Sequence, residues 1–329
     1  MLNKDIGIDL GTVNILIYIK GEGIVLNEPS VIVINDETKE IVAVGDEAST
    51  MLGKTPGKLR AIKPMKDGVI ADFDMVEILL ERFLKKIKTA KKILKPKILI
   101  CCPSNITEVE KNAIKEVAER MGAKKVFVEE EPKVAAVGAG LDIGEPIGHM
   151  IVDIGGGTTD IAVLSLGNIV TSASIKIAGN TFDESIIKYI KEKYNLLIGE
   201  KTAENIKLTI GAINNVKNKE KMQVKGRDLV EGLPKIKTVN SEEISKSLED
   251  SVKKIESTIK QVLEQTPPEL SADIMEKGIV LTGGGALLKG ISEYLEESLG
   301  VPIEIAEDPL SCVAEGTGIM LEKLSYLDK

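Results

Sequence analysis

A short pattern occurs twice in this chain of 329 residues and limits the folds that the chain can adopt. In each copy an apolar run ends in Asp, one further residue and Gly, and a Thr and a second apolar run follow. The two copies contain Asp9 and Asp153, which are 144 positions apart. This spacing favours a duplicated half-molecule over a short-period solenoid, because solenoid repeats recur every 20–50 residues or so. Each half is expected to present a tight turn with a carboxylate beside it.

The regions around both copies alternate short β-rich runs with helical patterns, which predicts an α/β fold. Residues 6–20 are typical of a hairpin. Apolar strands over residues 98–102 and 125–128 flank a helix that begins after a capping-box pattern, Thr107 with Glu110, and this βαβ order indicates parallel strands. Residues 241–265 carry apolar side chains at helical spacing and predict a long amphipathic helix.

Composition excludes several classes of protein. The net charge of −8, with no Trp, argues against a surface that coats or stacks on nucleic acid. Three Cys, two of them adjacent, do not form a disulfide framework, and one His leaves little material for a zinc cluster. We find no apolar run of membrane-spanning length and no signal-peptide pattern, so the sequence predicts a protein that stays in the cytoplasm.

Three glycine-rich turns could bind an anionic ligand: residues 9–14, 153–160 and 281–287. Consecutive backbone N–H groups with a hydroxyl suit a phosphate, and a carboxylate such as Asp9 can hold Mg²⁺. The third turn follows a strand and is expected to open a helix over residues 287–291, where a base or phosphate can bind. The alternative is that these turns are plain hairpins with structural glycines. The complete Walker A pattern is absent, because position 48 is Ala, and so is GxGxxG.

These turns and several longer stretches resemble the superfamily of actin, sugar-kinase and Hsp70-type ATPases. The match is nearly end to end and is most specific to the bacterial actins, MreB and paralogues such as Mbl. The matching stretches are residues 27–31, 53–56, 67–73, 107–110, 153–159, 194–203, 266–270 and 281–288.

The resemblance implies a two-lobed α/β fold. Each lobe would be a mixed sheet with flanking helices, and the nucleotide would lie in the cleft between the lobes. Lobe I would cover residues 1–145, with a small subdomain at about 33–65. Lobe II would cover residues 146–314, with a small subdomain at about 182–245. A last helix over residues 315–329 would return to lobe I.

The resemblance also implies which residues bind ATP or ADP with Mg²⁺. Asp9 and Asp153 would serve the metal through water. The phosphates, ribose and base would be held by two phosphate turns, one helical segment and the third glycine turn. These residues are Thr12, Val13, Asn14, Gly155, Gly156, Gly157, Thr158, Glu204, Asn205, Ile206, Lys207, Gly283, Gly284, Gly285, Ala286 and Leu287.

By the same resemblance, Glu131, just before Pro132, would orient the attacking water, and Thr158 would give it a second hydrogen bond. Without the resemblance, residues 129–131 could simply be a charged loop at a helix start. Lys133 and Asp160 depart from the family's usual residues. The departures leave open a filament protein that binds ATP with little hydrolysis instead of a weak ATPase.

Membrane contact is a further expectation from the family. Ile93 and Leu94 lie between lysines and could insert at the inner face of the cytoplasmic membrane, or they could pack under the end of a helix. The expected partners are other copies of the chain in homopolymer filaments, this membrane and the cell-wall elongation machinery, with no nucleic acid. The expected function is to determine cell shape by guiding cell-wall synthesis; an Hsp70-type chaperone ATPase and a sugar or acid kinase are the rivals.

Overall fold

The computed structural model describes residues 5–91, 95–102, 106–214 and 220–327. The chain divides into two compact units. Unit 1 comprises Met1–Asp142 and Leu310–Lys329, and unit 2 comprises Ile143–Pro309. The assignment of lobes and small subdomains stays a prediction.

Unit 1 contains ten strands and the first four helices of the described chain, together with a C-terminal helix. Its elements are β1 (Ile6–Leu10), β2 (Asn14–Ile19), β3 (Gly23–Pro29), β4 (Ile32–Asn35), β5 (Ile41–Val44), α1 (Gly45–Met51), β6 (Leu59–Ile62), β7 (Met65–Lys66), β8 (Val69–Ile70), α2 (Phe73–Lys91), β9 (Lys97–Cys102), α3 (Glu108–Arg120), β10 (Lys125–Glu130) and α4 (Glu131–Gly138). The C-terminal helix spans Cys312–Leu327 and is α10 in chain order.

The main sheet of unit 1 has the strand order β3-β2-β1-β9-β10. β1 pairs antiparallel with β2 and parallel with β9, and β9 pairs parallel with β10. β4, β5 and β6 form a separate small sheet. The capping box predicted at Thr107 and Glu110 is confirmed at the start of α3.

The C-terminal helix packs closely against α4, because glycines of each helix contact backbone atoms of the other. A Cβ on Gly138 would overlap the carbonyl of Cys312, and one on Gly316 would overlap the carbonyl of Val134. Thr317 of the same helix is fully buried, against Gly7 of β1. These contacts fix α4, and therefore its first residue, on the sheet of unit 1.

The described residues of unit 2 form eight strands, five helices and a short 3₁₀ turn. Its elements are β11 (His149–Ile154), β12 (Thr159–Ser165), β13 (Asn168–Ile175), α5 (Gly179–Tyr194), β14 (Leu196–Leu197), α6 (Glu200–Ile210), β15 (Lys221–Asp228), β16 (Pro234–Asn240), α7 (Ser241–Gln265), α8 (Pro268–Lys277), β17 (Ile279–Thr282), the 3₁₀ turn Gly284–Leu287, α9 (Ile291–Leu299) and β18 (Ile303–Ile305).

The main sheet of unit 2 repeats the topology of unit 1, with the order β13-β12-β11-β17-β18. The register repeats as well. Asp9 lies opposite Leu16 in the first hairpin, and Asp153 lies opposite Asp160 in the second, so both partners are displaced by the same 144 positions. The predicted duplication is therefore confirmed in topology and in register.

Helix α7 has the bounds that its periodicity predicts. Asn240 and Glu243 form a capping box at its start. Its apolar stripe, including Leu248, Ile255 and Ile259, is buried in the core of unit 2. Periodicity and a strong cap were sufficient signals here because both are local.

A polar cluster joins α7 to α9. Glu256 accepts hydrogen bonds from Lys260 at 2.6 Å, from the Tyr294 hydroxyl and from the Ser298 hydroxyl. Burial alone would raise the pKa of Glu256, but these bonds outweigh it and lower the pKa to about 2. The carboxylate therefore contributes to stability in its charged form.

The prediction of a helix over residues 287–291 is wrong. A 3₁₀ turn ends at Leu287, and α9 begins only at Ile291. Gly290 adopts a left-handed conformation, φ 82°, which breaks the helical pattern. Within the described ranges, we find no helix long and apolar enough to cross a membrane.

Candidate functional site

The first glycine turn, residues 11–13, is fixed by contacts with two other parts of unit 1. The Ser30 hydroxyl donates to the Gly11 carbonyl at 2.8 Å, and the Ser30 N–H donates to the Val13 carbonyl at 2.8 Å. The Thr12 hydroxyl accepts a hydrogen bond from the Gly68 N–H at 3.1 Å. A hydroxyl that accepts in this way can still donate its proton, for instance to a phosphate oxygen.

Two carboxylates of unit 1 come at the same edge of the sheet. Asp9 stands near the end of β1 and is buried, and Glu131 comes directly after β10. Because β1, β9 and β10 are parallel, their carboxyl ends meet at one edge, which is where α/β sheets commonly bind ligands. Glu131 is the first residue of α4, whereas Glu129 and Glu130 belong to β10, so the three glutamates do not form a loop; the catalytic role of Glu131 stays a prediction.

The second glycine turn, residues 155–158, follows a buried carboxylate in unit 2. Asp153 is 3% exposed and accepts a hydrogen bond from the Thr282 hydroxyl at 2.9 Å. The Gly155 N–H donates to the Thr158 carbonyl at 2.9 Å and closes the turn. Thr158 is itself buried. The turn is therefore compact, and its carboxylate neighbour is oriented by a hydroxyl.

The N-terminus of α5 makes backbone hydrogen bonds to the second glycine turn. The N–H groups of Gly179 and Asn180 donate to the carbonyls of Gly155 at 3.1 Å and Gly156 at 2.8 Å. Lys207 of α6 donates to the Gly179 carbonyl at 2.9 Å and to Oδ2 of Asp183 at 3.0 Å. Burial raises the pKa of Asp183 to about 6, although the Lys207 ammonium acts in the opposite direction.

In the segment of α6 expected to contact ribose and base, two residues are exposed and two make contacts within the protein. Glu204 and Asn205 are exposed. Ile206 is fully buried in the core of unit 2, so its side chain packs against the protein and not against a ligand. The Lys207 ammonium makes the hydrogen bonds to α5 that are described above.

The third glycine turn presses against the end of β11. Gly283 has φ 78° and ψ 167°, and a Cβ there would lie 2.6 Å from Oδ1 of Asp153 and would overlap the Ile154 carbonyl. A Cβ on Gly285 would overlap the Ile154 side chain. Ala286 is buried, whereas Gly284 and Leu287 are exposed. Only glycines allow the turn to approach Asp153 this closely.

A magnesium site built from protein ligands alone is not present in the part of the chain that the structure describes. No cluster of three or more Asp, Glu, His or Cys residues could hold a metal ion there. Asp9 supplies one carboxylate in unit 1, and Asp153 supplies one in unit 2. A single carboxylate is enough for Mg²⁺, which proteins commonly bind through one or two carboxylates together with substrate phosphates and waters.

Three residues at the turns were not singled out as site residues by sequence reasoning: Ser30, Asp183 and Thr282. Their partners lie 19, 24 and 129 positions away along the chain. A sequence motif carries no sign of such distant contacts. Ser30 and Thr282 do lie in stretches that carry the family resemblance, which was the one available signal.

The membrane residues Ile93 and Leu94 lie outside the described residues. Helix α2 ends at Lys91, just before them. Their contact with a membrane stays a prediction.

A sheet topology that occurs twice, each time with a glycine turn and a carboxylate at its first hairpin, defines an α/β protein of the actin-like class. A model of the family described as MreB/Mbl protein matches residues 3–329. The chain belongs to this family. The family, the actin-like fold and the assignment to cell-shape determination expected from the sequence are thus confirmed.

Individual relatives agree with this assignment. The chain is 58% identical to the cell shape-determining protein Mbl of Bacillus cereus, over 100% of this chain and 99% of the relative. It is 50% identical to the cell shape-determining protein MreB of Escherichia coli, over 98% and 95%. It is 46% identical to MreB5 of Spiroplasma citri, whose AMPPNP-bound structure gives a TM-score of 0.94 with 100% and 98% coverage. The ADP-bound structure of MreB5 gives 0.95, with 99% and 98% coverage.

Proposed function

We propose that this chain is an actin-like cytoskeletal protein that binds ATP with Mg²⁺, hydrolyses it slowly and assembles with itself into filaments. The observation that carries the proposal is the repeated hairpin, with Asp9 and Asp153 at equivalent positions beside two glycine turns. The homologous MreB5 was solved bound to AMPPNP and to ADP, which supports a nucleotide as the ligand.

Each unit would supply one phosphate-binding turn. Backbone N–H groups of residues 12–14 and 156–158, with the hydroxyls of Thr12 and Thr158, would donate to phosphate oxygens, while the Gly155 N–H keeps the second turn closed. Gly283 to Leu287, with Glu204 and Asn205, would contact the adenosine. Leu287, which is 52% exposed, offers an apolar surface for the base. Asp9 and Asp153 would accept hydrogen bonds from waters on the metal.

Hydrolysis would depend on positioning. The Glu131 carboxylate, at the carboxyl edge of the unit 1 sheet, would accept a hydrogen bond from the attacking water, and the Thr158 hydroxyl would give that water a second contact. Mg²⁺, when bound, would neutralise charge on the phosphates. Phosphoryl transfer requires orientation and charge neutralisation more than covalent chemistry, so this small set of groups is sufficient for slow turnover.

Filaments would lie at the inner face of the cytoplasmic membrane and guide the cell-wall elongation machinery. Residues 93–94 supply only a weak apolar contact, worth at most ~2–3 kcal/mol for each side chain if it were fully buried. A polymer repeats that contact in every subunit, and multivalency turns weak binding into stable attachment. Membrane binding would therefore follow polymerisation.

Calorimetric titration with ATP and Mg²⁺ tests the nucleotide site directly. We expect wild type to bind and Gly156→Val to lose binding, because a branched side chain would stand where the backbone must approach phosphate. Gly199→Val is the matched control: no described atom lies within 4 Å of a Cβ at Gly199, and its φ of −92° suits valine. Undiminished affinity in Gly156→Val would overturn the assignment of the phosphate turn.

A further inference from the structure

The buried ion pair between Lys207 and Asp183 in unit 2 gives Lys207 contacts other than those expected from the sequence. The family resemblance places Lys207 on the ribose or base. In the structure its ammonium lies 2.9 Å from Oδ1 of Asp183, and both side chains are largely buried, at 14% and 12% exposed. Lys207 also donates to Oδ2 of Asp183 and to the Gly179 carbonyl.

These contacts connect the pair to the second phosphate turn. The peptide whose carbonyl accepts from Lys207 begins α5, and the Gly179 and Asn180 N–H groups donate to the Gly155 and Gly156 carbonyls. A continuous series of hydrogen bonds therefore runs from Lys207 through Gly179 to the turn. Carbonyls held in this way turn the neighbouring N–H groups toward the opposite side, where an anion can accept from them.

We propose that Lys207 and Asp183 are positioning residues for the phosphate turn, and that Lys207 acts on the nucleotide through α5 and not by contact with the ribose. The proposal rests on the proposed function, since it assumes that residues 155–158 bind phosphates. It also makes a statement about the protein without nucleotide, namely that the ion pair keeps the turn ordered before any ligand arrives.

The electrostatics of the pair support this role. Burial is the main cause that raises the pKa of Asp183, and Glu200 and Glu204, on the same helix as Lys207, raise it further by repelling the carboxylate. Lys207 is the cation that opposes both effects. Removing one member of a buried pair leaves the other uncompensated, whereas removing both does not. The two single variants and the double variant should therefore report one shared function.

The first arm of the test is hydrogen exchange of the nucleotide-free protein. We expect Lys207→Met and Asp183→Asn to speed exchange of the Gly179 and Asn180 amides about tenfold or more, which corresponds to ~1.4 kcal/mol of lost protection. Lys193→Met is the control, because it breaks an ion pair with Glu243 at the other end of α5. Unchanged exchange in both site variants would overturn the positioning role.

The second arm compares ATP with 2′,3′-dideoxyATP, which lacks both ribose hydroxyls. A positioning pair predicts that Lys207→Met weakens both nucleotides about tenfold, with their affinity ratio unchanged, and that Asp183→Asn does the same. The double variant Lys207→Met/Asp183→Asn should lose no more than the worse single variant, and being neutral at both positions it guards against simple unfolding.

A contact with ribose predicts a different result: Lys207→Met would lose affinity for ATP alone, and Asp183→Asn would not reproduce the loss. That outcome would overturn the proposal while leaving the proposed function intact. Failure of wild type to bind either nucleotide would overturn the proposed function and the nucleotide part of this proposal together. The exchange arm distinguishes these failures because it needs no nucleotide.

Discussion

Replacing Gly283 by Ala perturbs the point where the third glycine turn meets Asp153. The backbone there has φ 78° and ψ 167°, a conformation essentially restricted to glycine. A methyl group would lie 2.6 Å from Oδ1 of Asp153 and would overlap the Ile154 carbonyl. The variant must therefore strain its own backbone and also displace the carboxylate that Thr282 orients.

Two costs add in this variant. Backbone strain of this kind costs ~1–3 kcal/mol, and overpacking a close-packed site costs a further ~1–3 kcal/mol. Gly300→Ala is the matched control in the same unit: φ is 66° and ψ is 24°, and no described atom lies within 4 Å of the added carbon. It carries only left-handed strain, ~1–2 kcal/mol. We expect Gly283→Ala to be less stable than Gly300→Ala by about 2 kcal/mol or more.

Urea-induced unfolding followed by circular dichroism measures this difference as a shift in midpoint at constant slope. Gly283→Ala should also bind ATP with Mg²⁺ more weakly, since Asp153 has moved, whereas Gly300→Ala should bind like wild type. Equal free energies of unfolding for the two variants would refute the close approach of Gly283 to Asp153.

Three further predictions follow from the site, from the α7–α9 cluster and from the membrane segment. Glu131→Gln should bind ATP but slow phosphate release by about 10²-fold, whereas its neighbour Glu130→Gln should not; equal rates would remove Glu131 from its role. Glu256→Gln should destabilise the protein at neutral pH. The difference in unfolding free energy between wild type and variant should shrink in urea titrations as pH falls from about 4.5 to about 2, because the stabilisation from the lowered pKa is complete only above that range. Ile93→Ser with Leu94→Ser should abolish co-sedimentation of polymer with anionic liposomes without preventing polymerisation, and sedimentation like wild type would assign these residues to packing instead.

The elements that sequence reasoning located best are those with local causes. Helix α7 has an uninterrupted apolar stripe and a capping box, and the first hairpin has two apolar runs around a glycine turn. The repeated Asp-x-Gly pattern also predicted the duplication, because register within a tight hairpin is set by the turn itself. Recognition of the family supplied the site residues, which spacing alone left undecided.

The errors and omissions have non-local causes. The helix expected after the third turn does not form because Gly290, which packs against the Ile213 carbonyl, adopts a left-handed conformation. The side chain of Ile206 points into the core of unit 2 because α6 packs against that core. Asp183 gave no sign of its partner because Lys207 lies 24 positions away on a different helix. Contacts between distant segments decide these details.

The central claim is that this chain is a nucleotide-dependent filament protein. Negative-stain electron microscopy of the purified protein with ATP and Mg²⁺, beside Gly156→Val under the same conditions, tests it most directly. The account predicts filaments for wild type and none for the variant. A wild type that binds ATP by calorimetry yet forms no filaments at any protein concentration would contradict the account.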